Sequence, residues 1–591
     1  MSLGRSYGKS WMKGSSDGMC IMTNRVIILS ALTIFTFLGY VFPQETGKGA
    51  GYGGRDDDKL HEKVDQIFAE WDKPDSPGCA LAVIKNGRIV YMRGYGMAKL
   101  DSEVPITPAT VFDIGSMSKQ FTAASVVLLA KNGKISLEDD IRKYFPEFPD
   151  YGNAVTIRHL ICHTSGIRDY AWLMLLARMS FEGTDKDDRQ NILNLIARQR
   201  HLYFIPGDDS YYSNSNYLLL GLIVERVTGM SLGEYEKERI FAPLGMRHTF
   251  LRKDRDALME HAADGYVRDD AGRYRVKNDV VPPGPGGVHS TVEDLFLWDQ
   301  SFYDSEIGGP DFNTTMVTAG RLNNGNRTLF ACGLEVGEYR GLKTVGHKGF
   351  TESFDTYMVR FPEQKFSVIC LANLEIHSSR LAMKVADLYL ADELEPVASA
   401  QPKPEPVQRT EVALDASVLD VYTGPYRFDF GLLVNIKKQN NRLMMEADKQ
   451  PTVELLPESE TKFFMKGVDV QISFSRDESG KVTGLTLHQM GQNMQAKRIR
   501  SDEAKLPERL VEFVGEYYND ELQVTYTVVL NEGRLSVRAP RAFESQLRHI
   551  QGDAFAMSRG DMVFQRNDQG GITAFVLDVK TERLNFRFSR K

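Results

Sequence analysis

The chain has 591 residues, of which 42% are hydrophobic and 26% charged, and its net charge at pH 7 is −7. A chain of this length exceeds a single hydrophobic core, so we expect roughly two to four domains. The acidic balance, without an Arg/Lys-rich run, argues against nucleic-acid binding. The five cysteines form no Cys-x-x-Cys pair and the eleven histidines have no metal-ligand spacing, so we expect neither a metal nor another cofactor.

The N-terminal segment predicts a targeting address rather than a part of the fold. Residues 1–25 are a basic leader, residues 26–42 are an uncharged apolar run, and residues 43–57 are a Gly-rich spacer. A basic region followed by an apolar one is typical of a signal peptide or a membrane anchor. The apolar run is followed by neither an Ala-x-Ala cleavage site nor a lipobox cysteine, so both possibilities stay open. We expect an exported protein, periplasmic or extracellular, that is either released or anchored through residues 26–42.

The middle of the chain, residues 58–395, mixes helix and strand signals and predicts an α/β (α+β) domain. Ala80–Gly96 predicts two strands joined by an Asn-Gly turn, and residues 117–132 carry apolar side chains at helical spacing. The proline-rich run within residues 396–410 predicts an extended linker.

The remainder of the chain predicts two tandem all-β units, residues 411–500 and 501–591. The segments GLLVNIKKQNNRLMMEA and LQVTYTVVLNEGRLSVRA each predict a hairpin with a polar turn. Part of the first unit recurs about ninety residues later, where Leu419, Tyr422, Gly424 and Tyr426 match Leu510, Phe513, Gly515 and Tyr517. A repeat of this length and composition predicts two small antiparallel β-barrels.

The pattern Ser-x-x-Lys occurs four times, so its setting must decide which copy carries chemistry. Two copies lie in the leader and one, Ser459–Lys462, lies in a polar turn of the first β unit. The fourth, Ser116–Lys119, follows a strand signal and opens the predicted helix. Residues three apart are neighbours on a helix, and a lysine whose pKa is lowered by burial can serve as a base for serine. Ser116 and Lys119 are therefore the candidate nucleophile and base.

Further motifs follow this pair in a fixed order. They are LICHTSGIRDY, Phe-x-Pro-Gly from Phe204, Tyr212-Ser213-Asn214, PLGMRHT and GPGGVHSTVEDL. Together with Ser-x-x-Lys they resemble the penicillin-recognising serine hydrolases, which include class C β-lactamases, DD-peptidases, esterases and D-aminopeptidases. The resemblance implies a serine β-lactamase/DD-peptidase-like fold from about Lys59 to Leu394, followed by two lipocalin-like barrels.

The third motif of that family is usually Lys-Thr/Ser-Gly, whereas this chain has His347-Lys348-Gly349. A histidine with a reference pKa of about 6.5 is mostly neutral at pH 7, although it can still donate a hydrogen bond. Lys348 does not replace the usual lysine, because adjacent strand residues point to opposite faces. The change weakens recognition of a substrate carboxylate, and His-x-Gly resembles the D-aminopeptidase and esterase branches.

The mechanism implied by the resemblance is hydrolysis through an acyl-enzyme. Ser116 attacks an amide or ester carbonyl while Lys119 and Tyr212 share the proton transfers. The backbone N–H groups of Ser116 and Phe350, the latter following Gly349, stabilise the oxyanion. Asn214 orients either the substrate amide or Lys119. His347 supports either Tyr212 or the polar end of the substrate.

The expected function is that of an exported serine hydrolase acting on a small ester, amide or D-amino-acid peptide. A class C-type β-lactamase or a DD-carboxypeptidase is the alternative enzyme. A covalent β-lactam sensor, or a barrel protein that binds an apolar ligand, is the non-enzymatic alternative. The expected partner is a small-molecule or short-peptide substrate, and the sequence leaves open whether the barrels contribute to the active site.

Overall fold

The computed structural model describes residues 55–179, 186–252, 261–277, 281–396, 409–428, 432–447, 452–466, 468, 470–489, 492–499, 510–579 and 582–591. The predicted leader, the apolar run at 26–42, most of the predicted spacer and most of the predicted linker lie outside these ranges. Within the described ranges, no helix is long and apolar enough to cross a membrane.

Residues 55–396, here called the α/β domain, combine helices with antiparallel sheets, as predicted. The helices are α1 (Arg55–Phe68), α2 (Lys119–Lys131), α3 (Ile157–Ile161), α4 (Tyr170–Ala177), α5 (Lys186–Ala197), α6 (Asn214–Thr228), α7 (Leu232–Glu236), α8 (Val292–Asp304), α9 (Pro310–Val317) and α10 (Ser378–Tyr389). The strands are β1 (Cys79–Lys85), β2 (Arg88–Tyr95), β3 (Met97–Lys99), β4 (Val104–Pro105), β5 (Phe112–Asp113), β6 (Phe250–Leu251), β7 (Tyr266–Arg268), β8 (Tyr274–Val276), β9 (Val288–Ser290), β10 (Glu335–Tyr339), β11 (Leu342–Phe350), β12 (Asp355–Phe361) and β13 (Phe366–Ala372).

An antiparallel sheet with the strand order β10-β11-β12-β13-β1-β2 forms the centre of the α/β domain. The predicted hairpin is confirmed as β1 and β2, joined by Asn86 and Gly87 at positive φ angles of 53° and 76°. Such angles are what a two-residue hairpin turn requires, which explains the Asn-Gly pair.

Both faces of this sheet are covered, so nearly all residues of β1, β12 and β13 are buried. Along β1, the even-numbered residues pack in a core that includes α2 and α6, and the odd-numbered ones pack in a core that includes α1 and α10. This alternation follows from the two-residue period of a strand. The cysteines that the structure describes, at positions 79, 162, 332 and 370, are buried thiols, as expected for small apolar residues.

The predicted helix at 117–132 is observed as α2, preceded by a 3₁₀ turn at Gly115–Ser118. Eleven of its residues are buried, including Lys119. The helix carries small or apolar side chains on all of its faces (FTAASVVLLA), which is typical of a helix in the middle of a core. The first turn of α2, which carries Lys119, is therefore held in place by the surrounding core.

The two C-terminal units are both all-β, as predicted. The first barrel, residues 409–499, contains helix α11 (Ala416–Asp420) and closes from the strands β14 (Gly424–Phe428), β15 (Leu433–Gln439), β16 (Arg442–Ala447), β17 (Val453–Pro457), β18 (Lys462–Phe464), β19 (Val470–Arg476), β20 (Val482–Gln489) and β21 (Gln492–Arg498). Aromatic side chains fill its interior, among them Tyr422, Tyr426, Phe463 and Phe474.

The second barrel, residues 510–591, stays open between two strands. It is built from β22 (Gly515–Asn519), β23 (Val524–Asn531), β24 (Arg534–Ala539), β25 (Phe543–Gln546), β26 (Arg548–Gln551), β27 (Ala554–Met557), β28 (Gly560–Arg566), β29 (Ile572–Val579) and β30 (Leu584–Arg590). The order β25-β24-β23-β22-β30-β29-β28-β27-β26 leaves β25 and β26 at its ends, joined through Leu547.

The sequence repeat corresponds to one recurring contact. Tyr426 donates its hydroxyl to the carbonyl of Tyr422 at 2.8 Å, and Tyr517 donates to the carbonyl of Phe513 at the same distance. In both units a buried tyrosine thus ties the first strand to the turn that precedes it. The repeated tyrosine, Tyr426 or Tyr517, is the residue whose side chain makes this contact.

The second barrel packs directly against the α/β domain. Its aromatic residues belong to the same buried apolar cluster as the helices of that domain. Tyr526 donates its hydroxyl to the carbonyl of Leu176 at 3.0 Å, and the guanidinium of Arg178 lies 3.3 Å from the centre of the Phe543 ring. The two parts share a core instead of being joined by a linker alone.

Candidate active site

Ser116 lies in the 3₁₀ turn between β5 and α2. Gly115 adopts a φ of +52°, and its N–H donates to the Asp113 carboxylate at 2.8 Å. Ser118 closes the turn by donating its hydroxyl to the Gly115 carbonyl at 2.6 Å. These local bonds hold Ser116 at the start of the helix, as its position in the sequence predicted.

Lys119 lies one turn further along, with its side chain fully buried. Its Nζ is 2.9 Å from Ser116 Oγ, 2.9 Å from Asn214 Oδ1 and 2.7 Å from the carbonyl oxygen of Pro285. Burial lowers the pKa of Lys119 to about 7, although the Asp169 carboxylate opposes this shift. At neutral pH, a large part of Lys119 is therefore uncharged.

In the neutral state, the surroundings of Lys119 direct its lone pair. A neutral amine has two N–H donors and one lone pair, and the amide oxygen of Asn214 and the carbonyl of Pro285 can only accept. The lone pair is then left for the hydroxyl hydrogen of Ser116. This geometry suits proton removal from the serine.

Asn214 is engaged at both ends of its amide. Its Oδ1 accepts from Lys119, and its Nδ2 donates to Asp169 Oδ2 at 3.0 Å. The backbone N–H of Asn214 donates to the same carboxylate oxygen. One donor and one acceptor of the amide are thus engaged within the protein, which supports the orientation of Lys119 as the role of this residue.

Tyr212 lies above Lys119, whose Nζ is 4.9 Å from the centre of its ring. The ring packs on His163 with a centroid distance of 4.5 Å and on Phe330 at 5.9 Å. Burial raises the pKa of Tyr212, and a hydrogen bond with Ser116 only partly opposes that shift. The phenol thus remains protonated at neutral pH and can donate a proton.

His347 is buried on β11, with its ring centre 6.2 Å from that of Tyr212. Burial lowers its pKa to about 3, with a further contribution from the charge of Lys119. Its Nδ1 lies 2.6 Å from the carbonyl of Lys348, so Nδ1 carries the proton and donates. Nε2 is then an acceptor, and the hydrogen bond that we expected neutral His347 to donate goes to the Lys348 carbonyl.

Gly349 and Phe350 bring the end of β11 against the 3₁₀ turn. A Cβ on Gly349 would lie 1.9 Å from the carbonyl oxygen of Ile114, and one on Gly115 would lie 2.7 Å from the backbone nitrogen of Phe350. Thr356 Oγ1 donates to the same Ile114 carbonyl at 3.0 Å. Glycine at 349 allows this approach, which brings the N–H of Phe350 next to the segment that carries Ser116.

The structure therefore brings together every predicted site residue. It also adds His163 and Asp169, which we did not predict as site residues. Both belong to the family motif LICHTSGIRDY, for which we predicted no chemical role. His163 Nδ1 accepts from the N–H of Ser213 at 3.2 Å while its ring supports Tyr212, and Asp169 holds Asn214.

The second barrel reaches the segment that carries Tyr212. Tyr211 donates its hydroxyl to Glu582 Oε2 at 2.9 Å, and Arg583 donates to Asp209 Oδ2 at 2.7 Å. Both barrel residues lie between β29 and β30. These contacts link the barrel to the neighbour of a candidate catalytic residue.

Comparison with known proteins agrees with this geometry. Residues 64–391 match the Beta-lactamase family, and residues 408–503 match a domain of unknown function, DUF3471. Penicillin-binding protein 4* of Bacillus subtilis is 30% identical over 444 residues, which cover 72% of this chain and 95% of that protein. A D-aminopeptidase of Brucella anthropi is 29% identical over 316 residues, which cover 53% of this chain and 59% of that protein.

A solved structure extends the similarity beyond the α/β domain. The octameric penicillin-binding protein homologue from Pyrococcus abyssi superposes with a TM-score of 0.52 at 25% identity, covering 75% of this chain and all of that one. The family match spans more than half of the chain and includes Ser116, Lys119, Tyr212 and His347. The chain therefore belongs to the Beta-lactamase family and is a serine hydrolase.

Proposed function

We propose that this serine hydrolase is exported and cleaves small esters, amides or D-amino-acid peptides in preference to β-lactams. The observation that carries the proposal is the buried, neutral His347, whose Nε2 is an acceptor where most of the family has a lysine. A substrate carboxylate would meet a lone pair there instead of a cation. The similarity to a D-aminopeptidase supports the same branch. Export is supported by the apolar run at 26–42.

The proposed reaction begins with neutral Lys119, which accepts the Ser116 proton as Oγ attacks the carbonyl carbon. The oxyanion is stabilised by the N–H groups of Ser116 and Phe350. The proton then passes from Lys119 through the hydroxyl of Tyr212 to the leaving nitrogen or oxygen. Lys119 and Tyr212 return to their starting states, and the acyl group stays on Ser116.

Hydrolysis of the acyl-enzyme reverses these roles. Water enters the place of the leaving group, gives its proton to Lys119 by way of Tyr212, and attacks the ester carbonyl. The Ser116 oxygen leaves and takes the proton back from Lys119. Asp169 and His163 act as positioning residues, because one holds Asn214 and the other supports the ring of Tyr212.

The proposal is tested with the full chain and its Ser116→Ala variant on p-nitrophenyl acetate, D-Ala-p-nitroanilide and nitrocefin. We expect turnover of the first two, slow or no turnover of nitrocefin, and a loss of about 10⁴-fold or more in kcat in the variant. Ser459→Ala is the matched control, because Ser459 starts another Ser-x-x-Lys copy. Nitrocefin as the fastest substrate would identify a β-lactamase, and stoichiometric acylation without turnover would identify a covalent sensor.

Gly349→Ala is expected to lower kcat/KM on p-nitrophenyl acetate by about a hundredfold, the order of effect seen when one oxyanion donor is lost. The added methyl group would overlap the Ile114 carbonyl, with the Cβ only 1.9 Å from that oxygen, and push Phe350 N–H away from Ser116. Gly337→Ala on the neighbouring strand is the control, since its Cβ would meet Thr344 Oγ1 at an ordinary 3.5 Å. Equal activity of both variants, at unchanged melting temperature, would contradict the assigned role of β11.

A further inference from the structure

Glu335 lies at the edge of the active site, where β10 begins and β11 continues beyond it to Phe350. It is the first residue of β10 and pairs with Gly346 of β11, the residue before His347. A further bridge pairs it with Phe330, whose ring lies 5.9 Å from that of Tyr212. Two backbone contacts thus place Glu335 between the supports of Tyr212 and His347.

Among the described residues, no hydrogen bond or ion pair engages the carboxylate of Glu335. Glu335 is an exposed residue, yet burial of part of its side chain raises the pKa of its carboxyl group. Its negative charge also contributes to the raised pKa values of Tyr212 and Tyr357. The carboxylate is therefore close enough to influence the active site, and it is available to a ligand.

The neighbouring charges do not offset Glu335. His347 is neutral, since burial lowers its pKa to about 3. Lys348, the next residue, has its Nζ 3.4 Å from the Asp355 carboxylate, which is fully buried. Lys119 has a pKa of about 7 and is directed at Ser116. None of these three groups therefore neutralises the carboxylate of Glu335 above pH 7.

The position of Glu335 relative to the reaction follows from Tyr212. In the proposed mechanism, Tyr212 donates the proton to the leaving group, so the leaving group lies on the Tyr212 side of the acyl carbon. Phe330 packs on the ring of Tyr212 and pairs with Glu335 through a β-bridge, so Glu335 lies on the Tyr212 side as well. A charge on the leaving group would therefore lie closer to Glu335 than a charge on the acyl group.

We propose that Glu335 selects the leaving group by charge, so that esters and amides with a cationic leaving group are preferred and those with an anionic one are rejected. This inference rests on the proposed function, because it names the substrate class of the same site. Glu335 acts on the bound substrate electrostatically and takes no part in bond making or breaking. An amine-bearing leaving group would fit this side, and a free carboxylate would not.

The test uses three thioacetates that share one acyl group. Their leaving thiols are thiocholine, which is cationic, 2-methoxyethanethiol, which is neutral, and 3-mercaptopropionate, which is anionic. Release of free thiol gives kcat/KM for the full chain and for the variants Glu335→Gln, Glu335→Lys and Glu338→Gln. Dividing each value by that of the unmodified protein on the same substrate removes the intrinsic reactivity of the thioester.

In Glu335→Gln, the ratio of kcat/KM for the cationic and anionic substrates is expected to fall by about tenfold, the order expected for losing one partly screened charge. Glu335→Lys should lower it further, and raised salt should lower it in the unmodified protein. Glu338→Gln is the control, because Glu338 lies on the same strand, is exposed as Glu335 is, and pairs with Lys343, further from His347 than Gly346 is. Rates on the neutral substrate should change by less than about twofold in Glu335→Gln, which also shows that the variant is folded.

If the cationic-to-anionic ratio of kcat/KM in both Glu335 variants stays within about twofold of its value in the unmodified protein, the inference is overturned while the proposed function stays intact. A fall of the same size in Glu338→Gln would overturn it as well, since the effect would then come from net charge. If the unmodified protein hydrolyses none of the three thioacetates and no p-nitrophenyl acetate, the proposed function fails and this inference fails with it.

Discussion

Lys119→Met is expected to lower kcat/KM on p-nitrophenyl acetate by about two to four orders of magnitude, the range that a lost general base gives. The reason is geometric, because Lys119 Nζ lies 2.9 Å from Ser116 Oγ and two pure acceptors direct its lone pair at that oxygen. Methionine keeps the length and apolar character of the side chain but has no basic nitrogen. Steady-state kinetics at pH 8, together with a thermal melt, separates loss of chemistry from loss of fold.

The matched control is Lys462→Met, which removes the lysine of another Ser-x-x-Lys copy. There the residue is exposed, and two bonds join the pair: the Lys462 backbone N–H donates to Ser459 Oγ and the Ser459 backbone N–H donates to the Lys462 carbonyl, both at 3.1 Å. Neither of these bonds uses the Lys462 side chain. This variant should keep its activity within about twofold. A similar loss in both variants would show that Lys119 is not distinguished from an ordinary surface lysine.

The pH profile of the unmodified protein checks the same assignment. Burial disfavours the charged form of Lys119 and lowers its pKa to about 7, so the reactive neutral form appears as the pH rises through that value. We expect kcat/KM to rise up to about pH 7 and then level off. A rate still rising at about pH 9 would mean that the lysine has its ordinary pKa and is not the base.

Tyr212→Phe is expected to cost much more with a poor leaving group than with a good one. The variant keeps the ring contacts with His163 and Lys119 but loses the hydroxyl that passes the proton to the leaving group. An anilide must be protonated to leave, whereas p-nitrophenolate leaves without a proton. We therefore expect kcat/KM to fall by about a thousandfold on D-Ala-p-nitroanilide and by about tenfold on p-nitrophenyl acetate.

Tyr151→Phe is the matched control for this prediction, because Tyr151 also starts a Tyr-x-Asn run. Its hydroxyl donates to the Gln199 carbonyl at 3.1 Å, away from the proposed chemistry. Its activity should stay within about twofold on both substrates. Equal losses on the anilide and the ester in Tyr212→Phe would show that this hydroxyl acts on Ser116 and not on the leaving group.

The two barrels differ in what they contribute to this protein. Aromatic side chains fill the first barrel, which does not support the alternative of an apolar-ligand carrier. The second barrel shares a core with the α/β domain and bonds Tyr211 through Glu582. Its hairpin at β29 and β30 is thus part of the surroundings of the site.

The sequence by itself determined the parts of this protein that depend on local pattern. Two strand segments joined by an Asn-Gly turn predicted β1 and β2, and a repeat of about ninety residues predicted the two β units. The setting of Ser116–Lys119, between a strand and an apolar helix, singled out one of four equal motifs. The ordered motifs after it were sufficient to identify the family, because each constrains a short stretch of backbone.

Only the tertiary structure decided the chemistry that depends on distant neighbours. The pKa of Lys119 follows from burial by segments far along the chain, and its lone pair is directed by Asn214 and Pro285. Which nitrogen of His347 carries the proton depends on the Lys348 carbonyl, and the charge of Glu335 contributes to the raised pKa of Tyr212 although the two residues are far apart in the chain. These are contacts in three dimensions whose strength depends on local solvent exclusion, which no short sequence pattern specifies.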